Sequence, residues 1–308
     1  MLRFKKGLVI FLTILMVLSL VVGCAPKPVT EPIQDPAPQP EPPKFDKEAY
    51  LVEETAKYFA AIPDNNNMIP AKDMMELIEG NPGAVLAIDI RAAEDYAKGH
   101  VPGAINIPLM TIGENLERLP KNRQLFMICY SRQTSGQTVG ALKFLGFNAI
   151  SMASGMNNWP ADLGDKLVTD EVALPSPVAP TLNEQEQAKW DAVKNYFAQM
   201  PTSWYMIPPA DLHSTNESNP DAIFILDHRA PEYFDKDHIE GAVNIPWKQI
   251  GNNYDKLPKN RPVYVTCYSG QTAGQSIALL RIAGFNAISL RGGMNGGWTR
   301  AELPTVTK

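Results

Sequence analysis

The sequence predicts an α/β fold built twice: two tandem three-layer units, each a central, mostly parallel sheet with helices on both faces. Three observations carry this expectation. Short apolar runs alternate with helical stretches in each half, the pattern of strand–helix–strand units that wind into parallel sheets. A shift of 138 positions lays one half on the other, with about half of the positions from Met68 to Asn157 identical and no gap. At 308 residues, 44% of them apolar, the chain can fill two cores of ordinary size.

Within each half the elements follow in order. "AVLAIDI" and "AIFILDH" are short apolar runs of the kind found in buried parallel strands. A short polar helical segment comes next, holding Glu94 or Glu232. "GAINIP" and "GAVNIP" read as a further strand, stopped by proline. "QLFMIC" and "PVYVTC" give the next strand, each ending on a cysteine. Val139, Leu142 and Leu145 then keep helical spacing up to Gly146, as Ile277, Leu280 and Ala283 do up to Gly284, each glycine serving as a C-terminal stop. "NAISM" and "NAISL" supply another strand.

The N-terminus stands apart from this pattern. Arg3, Lys5 and Lys6 precede an uncharged apolar run from Gly7 to Val22, the layout of an export signal. A transmembrane anchor is the competing reading, since the run is near the lower length limit for a span. "LVVGC" resembles the lipobox of bacterial lipoproteins, which makes residues 1–23 a signal peptide and Cys24 the lipidated N-terminus of an exported, membrane-anchored protein facing outside the cytoplasm. Cleavage there removes three positive charges and no acids, taking the formal charge from −5 to −8. With no basic cluster elsewhere, nucleic acid is not an expected partner. Residues 24–44 are so rich in proline that they form an extended tether. The units are then expected at 45–170 and 184–308, joined by a linker at 171–183.

The three cysteines of the chain are Cys24, Cys129 and Cys267. The last two open nearly identical stretches, "CYSRQTSGQ" and "CYSGQTAGQ", at the carboxyl ends of central strands, where open α/β sheets place their ligand sites. A helix starts directly after each. Unpaired N–H groups and a partial positive charge at a helix N-terminus make a cradle for an anion, and the same field favours thiolate over thiol. A cysteine here could also be only a small buried residue that ends a strand. That alternative leaves the repeated loop unexplained in a chain that otherwise avoids cysteine. The candidate nucleophiles are therefore Cys267 and Cys129, and the candidate anion-binding loops are Tyr268, Ser269, Gly270, Gln271, Thr272, Ala273 and Tyr130, Ser131, Arg132, Gln133, Thr134, Ser135. Arg132 stands where the second loop has Gly270, adding charge at a position that glycine occupies more cheaply.

"DIRAAEDYAKGHVPGAINIP" and "DHRAPEYFDKDHIEGAVNIP", the cysteine loops about thirty residues on, and the closing "GGMNGGW" together resemble rhodanese domains, over most of the chain after the tether. The resemblance implies sulfur transfer: a cysteine takes the outer sulfur of thiosulfate or another sulfane donor, such as a persulfide, as a persulfide and passes it to a thiol, cyanide or protein acceptor. It implies no metal and no organic cofactor. Two other classes stay open, a non-enzymatic sulfane-sulfur carrier or sensor and a protein-interaction module. Phosphatases and arsenate reductases of the same fold carry a Cys-x5-Arg loop, and neither loop here ends in arginine, which removes the clamp phosphoryl transfer needs. Asp89 with Arg91 and Asp227 with Arg229 are expected to brace loops, and His100 and His238 to be hydrogen-bonded scaffold. His213 and His228 have no counterparts in the first half, and the four histidines show no metal-ligand spacing. Trp159, Trp247 and Trp298 are expected in the core or at its rim.

Overall fold

Each half folds around a five-stranded, wholly parallel sheet. The computed structural model describes residues 44–308, so the expected export signal, Cys24 and all of the tether but Lys44 lie outside the described residues. In the first half the strands are β1 (Met68–Ile69), β2 (Val85–Asp89), β3 (Ile105–Asn106), β4 (Gln124–Ile128) and β5 (Ala149–Met152), in the order β1-β5-β4-β2-β3. In the second half β6 (Met206–Ile207), β7 (Phe224–Asp227), β8 (Val243–Asn244), β9 (Val263–Thr266) and β10 (Ala287–Leu290) repeat it as β6-β10-β9-β7-β8. The two-residue edge strands β1 and β6 are elements that the apolar runs do not announce.

The helices are α1 (Lys47–Ala60), α2 (Ala71–Gly80), α3 (Ala93–Ala97), α4 (Gln133–Phe144), α5 (Glu184–Ala198), α6 (Pro209–Ser218), α7 (Pro231–Lys236) and α8 (Gln271–Ile282). Asp46 caps α1 through a 3.0 Å bond from Ala49 N–H, and Asn183 with Glu186 forms a capping box at the start of α5. Alternation along the strands sorts the core into layers. Leu86 and Ile88 of β2 face one apolar cluster, while Val85 and Ala87 face another beneath α2. Residues of β7 and β9 divide in the same way, Leu226, Val263 and Val265 on one side and Ile225 and Tyr264 on the other.

The two outer clusters are separate, but the inner cluster is one body shared by both halves. At its centre α4 and α8 touch backbone to backbone. A Cβ on Gly136 would stand 2.3 Å from the Gln271 carbonyl oxygen, and one on Gly274 would stand 2.4 Å from that of Gln133. Only glycine permits that approach.

The flanking helices cross over. Helix α1, which chain order assigns to the first half, packs against the 3₁₀ segment Trp247–Lys256 of the second. Its Thr55 Oγ1 accepts a 3.1 Å bond from Tyr254, and Gly251 lies against the Ala56 backbone. Helix α5 in turn packs on the 3₁₀ segment Leu109–Glu114, with Gly113 against Lys194 and Phe197. The boundary expected between 45–170 and 184–308 thus marks the two sheets but not the helices that cover them. Phe45–Lys308 form one compact unit.

Candidate functional site

Both cysteines sit where β4 and β9 run out, on the shared-core side of their sheets, and each is only 1% exposed. Their loops turn into α4 and α8 through a left-handed residue, Arg132 at φ 69° and Gly270 at φ 90°. In the second loop this turn brings the Gly270 and Ala273 amides back towards the sulfur. A second segment closes each loop from the side. Met294 N–H donates to the Cys267 carbonyl at 2.7 Å and Asn295 N–H to that of Tyr268 at 2.8 Å, while Met156 and Asn157 do the same for Cys129 and Tyr130. Gly293 at φ 61° lets this happen, since a Cβ there would lie 2.7 Å from the amides of both Ser269 and Gly270.

The two sulfurs have different partners. Cys267 Sγ accepts from Gly270 N–H at 3.1 Å and from Ala273 N–H at 3.4 Å, so the backbone cradle points at the sulfur itself. At the first loop Cys129 Sγ donates to Ser135 Oγ at 3.2 Å, and Ser135 Oγ also meets Ser151 Oγ at 2.7 Å. Across two differing positions, Gly270/Arg132 and Ala273/Ser135, the amide donors at one sulfur give way to a hydroxyl acceptor at the other. Cys267 is held as an acceptor, the polarity of a sulfur nucleophile, and Cys129 as a donor.

Several loop side chains are committed elsewhere. Tyr130 Oη donates to Asp95 at 2.6 Å and accepts from Ala92 N–H, and Tyr268 Oη accepts from Ala230 N–H, so the tyrosines brace the turns into α3 and α7. Gln133 Nε2 donates to Ser289 Oγ at 2.6 Å and to the Leu290 carbonyl at 2.9 Å, and its Oε1 accepts from Gly292 N–H. The side chain of Gln133, a residue of the expected anion-binding loop, bridges the halves. Its amide lies so close to Gly270 that a Cβ there would come within 2.7 Å. Gln271 does not reciprocate: Arg132 carries a side chain where Gly270 has none, and Gln271 turns to accept from Gln275 at 3.2 Å, leaving its own buried Nε2 without a partner. Thr272 Oγ1 meets His228 Nε2 at 3.0 Å. Thr134, Ser135 and Ala273 are buried, while Ser131 is exposed and Ser269 half-buried at the loop tips.

Arg91 chelates Asp89 and reaches the Gly99 carbonyl at 2.8 Å, and Arg229 chelates Asp227 and Asp237, with Asp89 and Asp227 fully buried. His100 and His238 donate from Nδ1 to the Tyr96 and Phe234 carbonyls, with their rings stacked on those side chains. Trp247 and Trp298 are buried and Trp159 half-buried. His228 is the group that the sequence does not single out. Burial, with Arg229 beside it, pushes its pKa down to about 3. The neutral ring joins Thr272 to Ser276 Oγ at 3.1 Å and so fixes the first turns of α8 against β7. Gln137 and Gln275 were equally hidden. Gln275 binds Asn66 and Asn67 and accepts from Tyr58, and Gln137 binds the Trp204 carbonyl and accepts from Tyr196 at 2.7 Å. The 138-residue shift relates Tyr58 to Tyr196 and Gln137 to Gln275, which was the available signal.

The chain is 34% identical over 71 residues to thiosulfate sulfurtransferase PspE of Escherichia coli (strain K12), covering 22% of this chain and 68% of that protein. It is 34% identical over 84 residues to thiosulfate sulfurtransferase GlpE of Actinobacillus succinogenes, covering 27% of this chain and 75% of that one. A third relative, YrkF of Bacillus subtilis (strain 168), named as a sulfur carrier protein, is 33% identical over 73 residues, and this chain spans only 40% of its length. The rhodanese-like domain profile matches twice, at residues 70–162 and 209–300, each match enclosing four of the five strands of one sheet and one cysteine loop and leaving the edge strands β1 and β6 and the helices α1 and α5 outside. With well over half of the chain so matched, the protein belongs to the rhodanese-like domain family.

Proposed function

We propose that the protein is a sulfurtransferase that moves sulfane sulfur from thiosulfate or a persulfide donor to a thiophilic acceptor, through a persulfide on Cys267. The observation that carries this reading is the pair of backbone N–H groups, from Gly270 and Ala273, aimed at Cys267 Sγ. A sulfur so held attacks the outer sulfur of thiosulfate, the S–S bond breaks, and sulfite leaves with the bonding electron pair. The terminal sulfur of the resulting persulfide then goes to the acceptor, which restores the thiolate. Amides that first cradle the sulfur can hold the terminal sulfur of the persulfide without rearrangement.

Family membership supports the transferase class, as do the sulfurtransferase names of the relatives. Cys129 is the second site, slower because its hydrogen bond runs to Ser135. A lipid on Cys24 would anchor this activity at the outer face of a bacterial cell membrane. Among the described residues no helix is long and apolar enough to cross a membrane.

The test is thiocyanate formation from thiosulfate and cyanide. Cys267→Ser is expected to remove most of the turnover and Cys129→Ser little of it. Full turnover without Cys267 would overturn the assignment. A different reading, a sulfur carrier that loads but does not turn over, draws on the carrier name of YrkF and predicts one stoichiometric burst in place of steady turnover.

A further inference from the structure

The two cysteine loops open on one place. Ser131 and Arg132 of the first and Ser269 of the second border a single open cleft of about 670 Å³, closed on its far side by the segment carrying Arg291 and Arg300. The Gln133 amide, bonded to Leu290 and Gly292, ties that segment to the first loop, so the walls of the cleft belong to one body. Neither cysteine lines it. The cleft lies outside both sulfur pockets.

Its charge is unbalanced. Three arginines line it and no carboxylate does. Among the described residues none of the three guanidinium groups has an ion-pair partner or a hydrogen-bond acceptor, although Arg91 and Arg229 are fully engaged. Arg132 Nε is buried with nothing to donate to. Like charges gathered in one concavity raise its potential and draw small anions in. Guanidinium forks grip paired oxygens best, in a carboxylate or an oxyanion.

We propose that this cleft is one anion site shared by both cysteine loops, and that it takes a small anion with paired oxygens: an oxyanion of sulfur, or a thiol carrying two carboxylates. The choice of these anions rests on the sulfurtransferase reading; the binding itself does not. A shared site holds one anion per chain, so the loops draw on it in turn.

The test uses the full chain carrying both Cys129→Ser and Cys267→Ser, titrated calorimetrically with thiosulfate and, separately, with glutathione. One site per chain is expected for whichever probe binds, thiosulfate alone marking an inorganic anion site, glutathione alone an acceptor site, and mutual displacement a site for both. Arg291→Ala with Arg300→Ala, two exposed positions, should weaken binding by about tenfold, equivalent to about 1.4 kcal/mol. Lysine at both positions should restore most of it, because charge is retained, which a folding defect would not allow. Two equal sites per chain, affinity unchanged in the alanine variant, or no binding of either probe would each overturn the proposal. If the wild-type chain forms a persulfide while this double-serine chain binds neither probe, the shared cleft alone is refuted.

Discussion

At Cys267 and Cys129 the sulfurs meet different partners, and the loops differ at two positions, Gly270/Arg132 and Ala273/Ser135. The N–H groups of Gly270 and Ala273 face Cys267, whereas Cys129 meets the Ser135 hydroxyl. Ala273→Ser should therefore slow sulfur loading at Cys267 by about tenfold, less than the roughly hundredfold or more that complete loss of a charge-stabilising donor costs, because the amide itself remains. The reciprocal Ser135→Ala should speed loading at Cys129, with both rates read by stopped-flow release of sulfite. His228 gives a second prediction. Its pKa is about 3 in the fold against an ordinary value of 6.5, so between those values the unfolded chain binds more protons than the native one. Stability must then fall as pH drops from 6.5 towards 3, by up to about 1.4 kcal/mol per pH unit from this group. His228→Gln should flatten the pH dependence of urea unfolding over that window relative to wild type. Much of this scale was legible in the sequence. The cysteines at strand ends and the Gly270/Arg132 exchange follow from local pattern, and the Asp–Arg braces from the resemblance to rhodanese domains. His228 was hidden because its partners, Thr272 and Ser276, are more than forty residues away and have nothing locally unusual about them.

Among the elements, the repeated "QTxGQ" after each cysteine proves to be about helix contact as much as chemistry. Gly136 and Gly274 allow α4 and α8 to touch, and Gln137 and Gln275 pin the loops before β6 and β1. A loop motif met in sequence gives no hint of this, since both uses call for small and polar residues at the same positions. The exchanged helices were hidden for a different reason. Helices α1 and α5 share little beyond the triplet Tyr-Phe-Ala that ends each, and amphipathic spacing states that a face is buried without stating against what. Phe59 is fully buried in the shared core and touches Tyr254 edge-on at 6.3 Å. Phe59→Ala should cost roughly 3–5 kcal/mol. Hydrogen exchange should quicken first in residues 247–256, not in the first sheet; the opposite order would contradict the crossing.

For the whole molecule, one shared core and two exchanged helices mean that neither half keeps its apolar face covered alone. Residues 45–183 and 184–308 made separately should be poorly folded and should recover native circular dichroism on mixing, whereas a monomeric, fully folded 184–308 would refute this interdependence. The tandem α/β architecture was readable from strand–helix alternation and the 138-residue shift. How the two units join was not, because no residue of the linker records which surface it leads to. The central claim is the persulfide on Cys267, and intact mass tests it most directly. After incubation with thiosulfate, the purified chain should gain one sulfur, about 32 Da, that cyanide removes and that Cys267→Ser abolishes. A Cys267→Ser chain that gains the same mass, or a wild-type chain that gains none from thiosulfate or polysulfide, would contradict the account.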